Sequence, residues 1–294
     1  MPPPNAKPTT DLTLIILNYN SQFWLKQNLD SLKKFVLTKT NFKIRTIVVD
    51  NHSDDDSLAL LGRSYRWVDV IELPENIGFA KGNNVGLKQA KSRYIMLINA
   101  DLEFTADSNL DLLINYMDEN PKIGVITPKV SLSSGEIDPA CHRGEPTPWA
   151  TLTYFLKLEA LLPKVPFFSQ YHQWYKDLAQ PHTIDACSGA AMMVRSQALE
   201  KVGLLDEQFF MYAEDLDWCN RFRKARYQVM YYPYVELTHH KYKSGLSSQS
   251  KATARKTSQH FYDTMLQYYD KHYRSRYPEF VRNGIKYLLQ LKQI

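Results

Sequence analysis

Tyr94-Ile95-Met96-Leu97-Ile98-Asn99-Ala100-Asp101 is an apolar run with strand character that stops abruptly on a carboxylate. In an open α/β sheet, ligands bind outside the carboxyl ends of the strands, which puts Asp101 where a phosphate-bound metal ion is held. A buried strand that merely turns into solvent ends the same way. The neighbouring segments therefore decide between a metal ligand and an ordinary strand terminus.

Working outward, residues 12–17, 44–49 and 68–73 are further short runs rich in Ile, Val and Leu, each bounded by polar or turn residues. They read as buried parallel strands. Between them lie stretches of helical spacing: Trp24, Leu25, Leu29, Leu32 and Val36 behind the candidate cap Ser21, and Val85 to Ala90 behind a Gly/Asn-rich loop. This βαβα alternation predicts an α/β fold with an open, doubly wound, mostly parallel sheet flanked by helices. A helix over 107–120, closed by Pro121, and a strand over 123–127 extend it. Residues 133–182 are irregular, with Pro139, Pro146, Pro148, Pro163, Pro166 and Pro181 interrupting aromatic pieces, as a variable insertion would be. Regularity returns over 187–194, in helices over 196–202 and 214–224, and in a strand over 229–232, before a mainly helical end.

With 294 residues, 44% hydrophobic and 23% charged, the chain has the composition of a soluble globular protein. No apolar run approaches the roughly 20 residues that cross a bilayer, and Met1-Pro2-Pro3-Pro4-Asn5 lacks the apolar stretch of a signal peptide. The cytoplasm is the expected compartment. Cys141, Cys187 and Cys219 are widely spaced and match no metal pattern, so they read as reduced thiols. The net charge of +5 hides an asymmetry: residues 241–294 hold eleven Lys/Arg against three Asp/Glu, a net of +8, which leaves −3 for residues 1–240. A basic, tyrosine-rich tail suits an anionic membrane surface, nucleic acid, or simply a solvated helix.

Four clusters fall at strand ends or on loops. Asn18-Tyr19-Asn20-Ser21 ends the first strand and Asp50-Asn51 the second. A carboxylate at the end of the second strand can accept hydrogen bonds from a ribose or a base N–H, with Ser53 or Asp54 capping the next helix and leaving Asp50 free. Residues 76–84, Asn76-Ile77-Gly78-Phe79-Ala80-Lys81-Gly82-Asn83-Asn84, run from a loop into a helix. Glycines there let backbone N–H groups approach a phosphate or sugar, although a structural turn has the same composition and no P-loop pattern is present. Glu214-Asp215 opens a helix after the apolar approach Phe209-Phe210-Met211-Tyr212-Ala213. Such a pair complements a helix dipole, and beside apolar walls it also suits a general base. Finally, His239-His240 ends a strand-like segment ahead of Lys241, Lys243 and Ser244, so that an imidazole can join Asp101 on a divalent cation.

Taken together, these segments resemble family 2 glycosyltransferases of the GT-A fold, and more narrowly the bacterial rhamnosyltransferase-type branch. The resemblance spans residues 12–245. It implies that Asp50 recognises the nucleotide base or ribose, with Asn18 lining the same pocket, and that Asn76, Gly78, Lys81 and Asn83 border the ribose, pyrophosphate and sugar of the donor. Asn99-Ala100-Asp101 occupies the family's DXD position, where Asp101 binds Mg²⁺ or Mn²⁺ on the diphosphate, with His239 as second ligand. Asn99 stands in place of the first acid and brings no charge. Asp215 becomes the general base on an acceptor hydroxyl, with Glu214 beside it, and Arg143 of an arginine-proline element lies near the acceptor. Trp218 is expected in the core.

The resemblance further implies an inverting transfer from a nucleoside-diphosphate sugar, dTDP-L-rhamnose or a UDP-sugar, to a glycan or lipid-linked glycan of the cell surface. The implied organisation is a disordered arm over 1–10, a catalytic domain over 11–245 whose halves 11–128 and 129–245 bind donor and acceptor, and a basic helical extension over 246–294. Tyr268, Tyr269, Tyr273, Tyr277, Tyr287, Leu288 and Leu289 of that extension are expected to rest on the inner face of the cytoplasmic membrane, with no nucleic acid as partner. A nucleotidyltransferase needs a basic, glycine-rich signature near the first strand, which Asn18-Tyr19-Asn20 does not offer. A non-catalytic sugar-nucleotide-binding protein is the other rival, and intact Asp101, Asp215 and His239 weigh against it.

Overall fold

The computed structural model describes residues 10–241 and 251–291. Most of the expected N-terminal arm, and Lys243 and Ser244 of the basic motif, lie outside the described residues. Thr10, expected in that arm, already begins the first strand.

Four strands, β1 (Thr10–Asn18), β2 (Ile44–Asp50), β3 (Asp69–Glu72) and β4 (Ser92–Asn99), form a parallel ladder in the order β3-β2-β1-β4. The helices α1 (Gln22–Leu32), α2 (Ser57–Ser64) and α3 (Phe79–Gln89) connect them. Leu14, Ile15 and Ile16 of β1 and Met96 of β4 have no exposed surface, as expected of strands covered on both faces. Each such side chain contributes about 1.5–3 kcal/mol of burial. β3 departs from its expected burial: it is an edge strand with Asp69, Val70 and Glu72 exposed, Ile71 packs on the core only in part, and the flanking Val68 and Leu73 are buried.

Beyond β4 the sheet becomes mixed. β5 (Leu102–Phe104), β6 (Ile123–Leu132), β7 (His182–Ile184), β8 (Ala191–Arg195) and β9 (Gln228–His239) complete it. β8 runs antiparallel between β4 and β6, while β6 and β9 are parallel. The pairing of β6 with β9 jumps between Pro128 and Lys129, where β9 advances from Tyr232 to Glu236 through Pro233. Proline removes a ladder donor and is tolerated at such a bulge. The jump lets β9 pair β7 with its first half and β5 with its last, and that last register sets Leu102 opposite His239. Asp101 thereby meets His239.

The irregular stretch contains a short helix pair, α5 (Pro148–Phe155) and α6 (Leu158–Leu161), in which Pro148 sits in the first turn and the Thr147 side chain accepts from Ala150 N–H. The helices α4 (Leu110–Glu119), α7 (Ser196–Val202) and α8 (Glu214–Lys224) pack on the sheet, and α9 (Lys251–His272) and α10 (Glu279–Leu291) follow. Trp218 is fully buried and donates through Nε1 to the Gly203 carbonyl at 2.9 Å, as a core residue should.

The last two helices are built into the domain. Tyr268, Tyr269, Tyr273 and Leu289, expected at a membrane surface, are buried, because the apolar face of this amphipathic segment packs on the protein; Tyr277 and Tyr287 stay exposed. Arg282 forks onto Asp270 at 2.6 and 2.7 Å, so part of the tail's positive charge is neutralised within it. At the joint with α8, the fully buried Asp217 is met by His272 Nε2 at 2.8 Å, Lys271 Nζ at 2.5 Å and Arg221 Nε at 2.8 Å. Burial disfavours its charge, yet these partners hold its pKa well below the usual carboxylate range. Removing the buried imidazole in His272→Ala is expected to cost about 1–3 kcal/mol. A urea titration with an unchanged midpoint would show that α9 does not clamp α8.

Candidate active site

The loop carrying Asp101 is fixed from α1. Asn28 Nδ2 donates to the carbonyls of Asn99 at 3.1 Å and Leu102 at 2.8 Å, and His240 N–H donates to the Asp101 carbonyl at 2.9 Å. Asp101 Oδ1 lies 3.3 Å from His239 Nε2, and both side chains are buried. That is about the spacing of two adjacent ligands each binding an ion at ~2.0–2.2 Å. The other imidazole nitrogen, Nδ1, is 3.0 Å from Asp138 Oδ2, so a carboxylate orients the ring from behind, as it does for metal-bound histidines. Asp138 is held in turn by Ala140 N–H and by Lys241 Nζ at 3.1 Å. Burial works against the charge of Asp138, but His239, Lys241 and Ala140 hold its pKa well below the usual range. Burial likewise disfavours imidazolium at His239, and the bonds to Asp101 and Asp138 override it, lifting the pKa to about 9.

Among the described residues no group of three or more His, Cys, Asp and Glu side chains is arranged to hold a metal ion. One carboxylate and one imidazole nonetheless fit Mg²⁺ or Mn²⁺, which complete their shells with phosphate oxygens and water. Asn99 adds no charge there. Its side chain ends β4, and its N–H donates to the Ala190 carbonyl at 2.9 Å.

Ala190 leads to the opposite side of the site. The next residue back, Gly189, donates its N–H to Asp215 Oδ2 at 3.2 Å, and Leu216 N–H donates to Asp215 Oδ1 at 2.7 Å. Arg143 Nη2 reaches the same Oδ2 at 2.6 Å and the Cys187 carbonyl at 3.1 Å. Burial opposes the Arg143 charge, but Asp215 more than restores it, so the guanidinium is raised above its ordinary value. Arg143 therefore touches the acid itself. Glu214 is equally buried, and its Oε2 has no hydrogen-bond partner among the described residues. Burial first, and the charge of Asp215 second, push its pKa up to about 8. Tyr212 and Ala213, just ahead of the pair, both have positive φ, +73° and +63°, a local strain that sets the angle at which α8 presents its first residues.

A third group lies at the start of α3. Gly78 has φ +85°, and a Cβ there would sit 2.5 Å from the Phe210 carbonyl, so only glycine lets this turn dock on the approach to α8. Phe79 N–H donates to that carbonyl at 2.7 Å. Asn76 Oδ1 accepts from Asn51 Nδ2 at 2.9 Å and from Gly78 N–H at 3.0 Å, latching the turn to the end of β2. Lys81 is exposed in the first turn of α3. Asn83 bonds back to the Phe79 carbonyl at 3.0 Å, while Asn84 is a structural tie to Leu205 and Glu207.

Asp50 is not free. Fully buried, it accepts from Asn18 Nδ2, Ser53 N–H and Ser53 Oγ, each at 2.8 Å, and so closes the loop after β2. Neither Ser53 nor Asp54 caps the next helix, because Ser53 is engaged on Asp50. The N-cap position is Asp56, which makes no side-chain cap bond, while Asp55 just before it accepts from Ser57 N–H at 3.0 Å and from Gln22 N–H, at the start of α1, at 2.9 Å.

The model of glycosyl transferase family 2 matches residues 13–203. The chain belongs to that family. The low-salt glycan biosynthesis hexosyltransferase Agl10 of Haloferax volcanii is 26% identical over 233 residues, covering 78% of this chain and 67% of its own. The N-acetylglucosaminyl-diphospho-decaprenol L-rhamnosyltransferase of Mycobacterium tuberculosis is 24% identical over 244 residues, covering 79% and 77%. Among solved structures, a mannosyltransferase of Pyrobaculum calidifontis in complex with GDP-Man and Mn²⁺ aligns over 97% of this chain and 72% of its own with TM-score 0.57 at 16% identity. The fold is GT-A, and the chain is a glycosyltransferase.

In this family 2 chain the structure brings together Asp101 with His239, Arg143 with Asp215, Asn18 with Asp50, and Asn76 with Gly78. Lys81 and Asn83 make no side-chain contact with those groups in the bonds described. Sequence reasoning missed Asp138, whose only local sign is the Asp-Pro step that caps a single 3-10 turn at Pro139–Cys141. In Asp138→Asn, which keeps the shape and removes the charge behind His239, Mn²⁺ affinity by calorimetry is expected to fall about 10- to 100-fold. Glu214 gives a second test. Its folded pKa of about 8 exceeds the ordinary 4.5, so the native state holds the proton longer than the unfolded chain, and stability falls as pH rises between those values. Glu214→Gln is expected to flatten that decline in urea titrations from pH 5 to 8.5; parallel curves for the two proteins would refute it.

Proposed function

We propose that this glycosyltransferase is inverting and metal-dependent, moving L-rhamnose from dTDP-rhamnose to a hydroxyl of a lipid-linked or polymeric glycan in cell-surface polysaccharide synthesis. The observation that carries it is the division of the site across β4 and β8. Asp101 and His239 stand on one side, Asp215 with Arg143 on the other, and the Asn99 N–H to Ala190 carbonyl bond joins them. An inverting displacement needs this separation, with a base at the acceptor and charge compensation at the departing diphosphate.

Asp101 and His239 would hold Mg²⁺ or Mn²⁺, which supplies electrostatic stabilisation of the leaving diphosphate. The chain's own groups do the rest. Asp138 keeps the Nε2 of His239 turned toward Asp101. Glu214, with its pKa up to about 8, keeps its proton at neutral pH, so the adjacent acids carry one negative charge, which Arg143 and the Gly189 N–H fix on Asp215. Two neighbouring carboxyls with separated pKa values take separate roles. The turn at Gly78, docked on Phe210, brings the start of α3 beside the base, with Lys81 exposed for a phosphate and Asn76, Asn83 and Asn99 bordering ribose and sugar. Asn18 and Asp50 shape the base pocket by holding its loop.

L-rhamnose as donor is supported by the relative that carries the name of an L-rhamnosyltransferase, and a diphosphate-linked lipid acceptor by the same name. Such an acceptor would be met by peripheral contact at the inner face of the cytoplasmic membrane; no helix among the described residues is long and apolar enough to cross a membrane. In a transfer assay, Asp215→Asn is expected to lose about 10²- to 10⁴-fold in rate while retaining thermal stabilisation by nucleotide sugar and Mn²⁺. Unchanged turnover would remove Asp215 as base. Stabilisation by a UDP-sugar and not by dTDP-rhamnose would replace the donor.

A further inference from the structure

An apolar groove of about 350 Å³ lies between the insertion and the C-terminal helices, walled by Phe155 of α5, Phe261, Met265 and Tyr268 of α9, and Ile285 and Leu289 of α10. At one end it is bounded by Arg143, the partner of Asp215, and by Lys241, the partner of Asp138. At the other it adjoins a cavity of about 420 Å³ that shares Tyr154, Phe155, His172 and Phe261 and reaches the exposed Lys157 and Ala160. Next in the chain to the lining residues Phe155 and Ala160, Leu156 is 53% exposed and Leu161 73%, and Phe167 of the same insertion is 57% exposed. An apolar passage that begins on an exposed apolar face and ends beside the catalytic carboxylate fits one kind of molecule, an amphiphile whose head reacts and whose chain does not.

We propose that this groove receives the first isoprenoid units of a lipid-linked acceptor, with the α5 and α6 face laid on the bilayer from which that acceptor comes. This rests on the proposed transfer to a diphosphate-linked lipid and adds where its tail lies. The size suits the role, since ligand sites of this kind occupy about 300–1,000 Å³ and are mostly apolar with a few polar groups at one end. It also gives the buried tail tyrosines a function: packed inward, Tyr268 and Tyr269 wall the groove.

The test is calorimetry on the full chain with chelator present, using farnesyl diphosphate and isopentenyl diphosphate, which share the head and differ by ten carbons of chain. Farnesyl diphosphate is expected to bind about tenfold tighter or more, as burial of the added chain requires. Thr151→Trp, filling the groove from a half-exposed position on α5, and Met265→Gln, making its wall polar, are each expected to erase that preference. Both should leave thermal stabilisation by nucleotide sugar with Mn²⁺ unchanged, which also shows that they fold. Equal affinity for the two diphosphates, or a preference that both variants leave intact, overturns the groove. Failure of every nucleotide sugar to serve as donor would instead sink the transfer reading while leaving the chain-length preference in place.

Discussion

Residues 138–145 carry three charged side chains inward, and they are paired with the end of β9 and with the two ends of α8. Asp138 meets His239 at the end of β9, Arg143 meets Asp215 at the start of α8, and Glu145 meets Arg223 and Asn220 of α8 and the hydroxyl of Tyr273 just past α9. A buried charge without a partner costs several kcal/mol, so none of these contacts can be given up independently. One irregular strap thus fixes the relative positions of the metal-side imidazole, the acid proposed as base and the C-terminal helices. That is why a segment without regular structure can still be a precise part of the site. Its backbone is secured as well, since Arg143 N–H donates to the Ala186 carbonyl at 2.8 Å.

The same logic explains why the two ends of the sheet differ. In the parallel half the polar groups at the ends of β1 and β2 bond mainly to one another and to their own loops: Asn18 and Ser53 to Asp50, and Asn51 to Asn76. The mixed half must bring His239 to Asp101 at the end of β4. It does so by a bulge in β9 and an antiparallel β8, which bring residues far apart in the chain to one edge. Left-handed residues at Tyr212 and Ala213 are a local consequence of the same demand, because α8 must begin at an angle that points Glu214 and Asp215 inward.

Much of this was legible in the sequence where the signal is local. Apolar runs leading to Asp50 and Asp101 marked the strands β2 and β4, and the positive φ required at Gly78 lies in the glycine-rich run that was singled out. The pairing of Asp138 with His239 was not legible, because the partners are 101 residues apart and an Asp-Pro step looks like any turn. The tail was misread for another physical reason. Amphipathic spacing tells which side chains share a face, but not whether that face meets a bilayer or the protein, and here Tyr268, Tyr269 and Tyr273 chose the protein. Exposed Leu156, Leu161 and Phe167, inside a stretch read as a variable insertion, are the apolar face left over.

With Asn99 in the leading position, Asp101 is the one carboxylate its motif could give a metal, and a second carboxylate, Asp138, stands behind its neighbour His239. His239 sits between Asp101 and Asp138, and both raise its pKa, to about 9. The ring therefore compensates two buried carboxylates with its own proton. Asp101 and Nε2 would be the groups to hold a divalent ion, whose two charges would take the place of that proton. Asp138, backed by Lys241, holds Nδ1, so the ring already turns Nε2 toward Asp101. A second aspartate at position 99, which is only partly buried, would add one more negative charge beside this set. Asparagine there is consistent with a site whose negative charge is completed by the donor's own diphosphate.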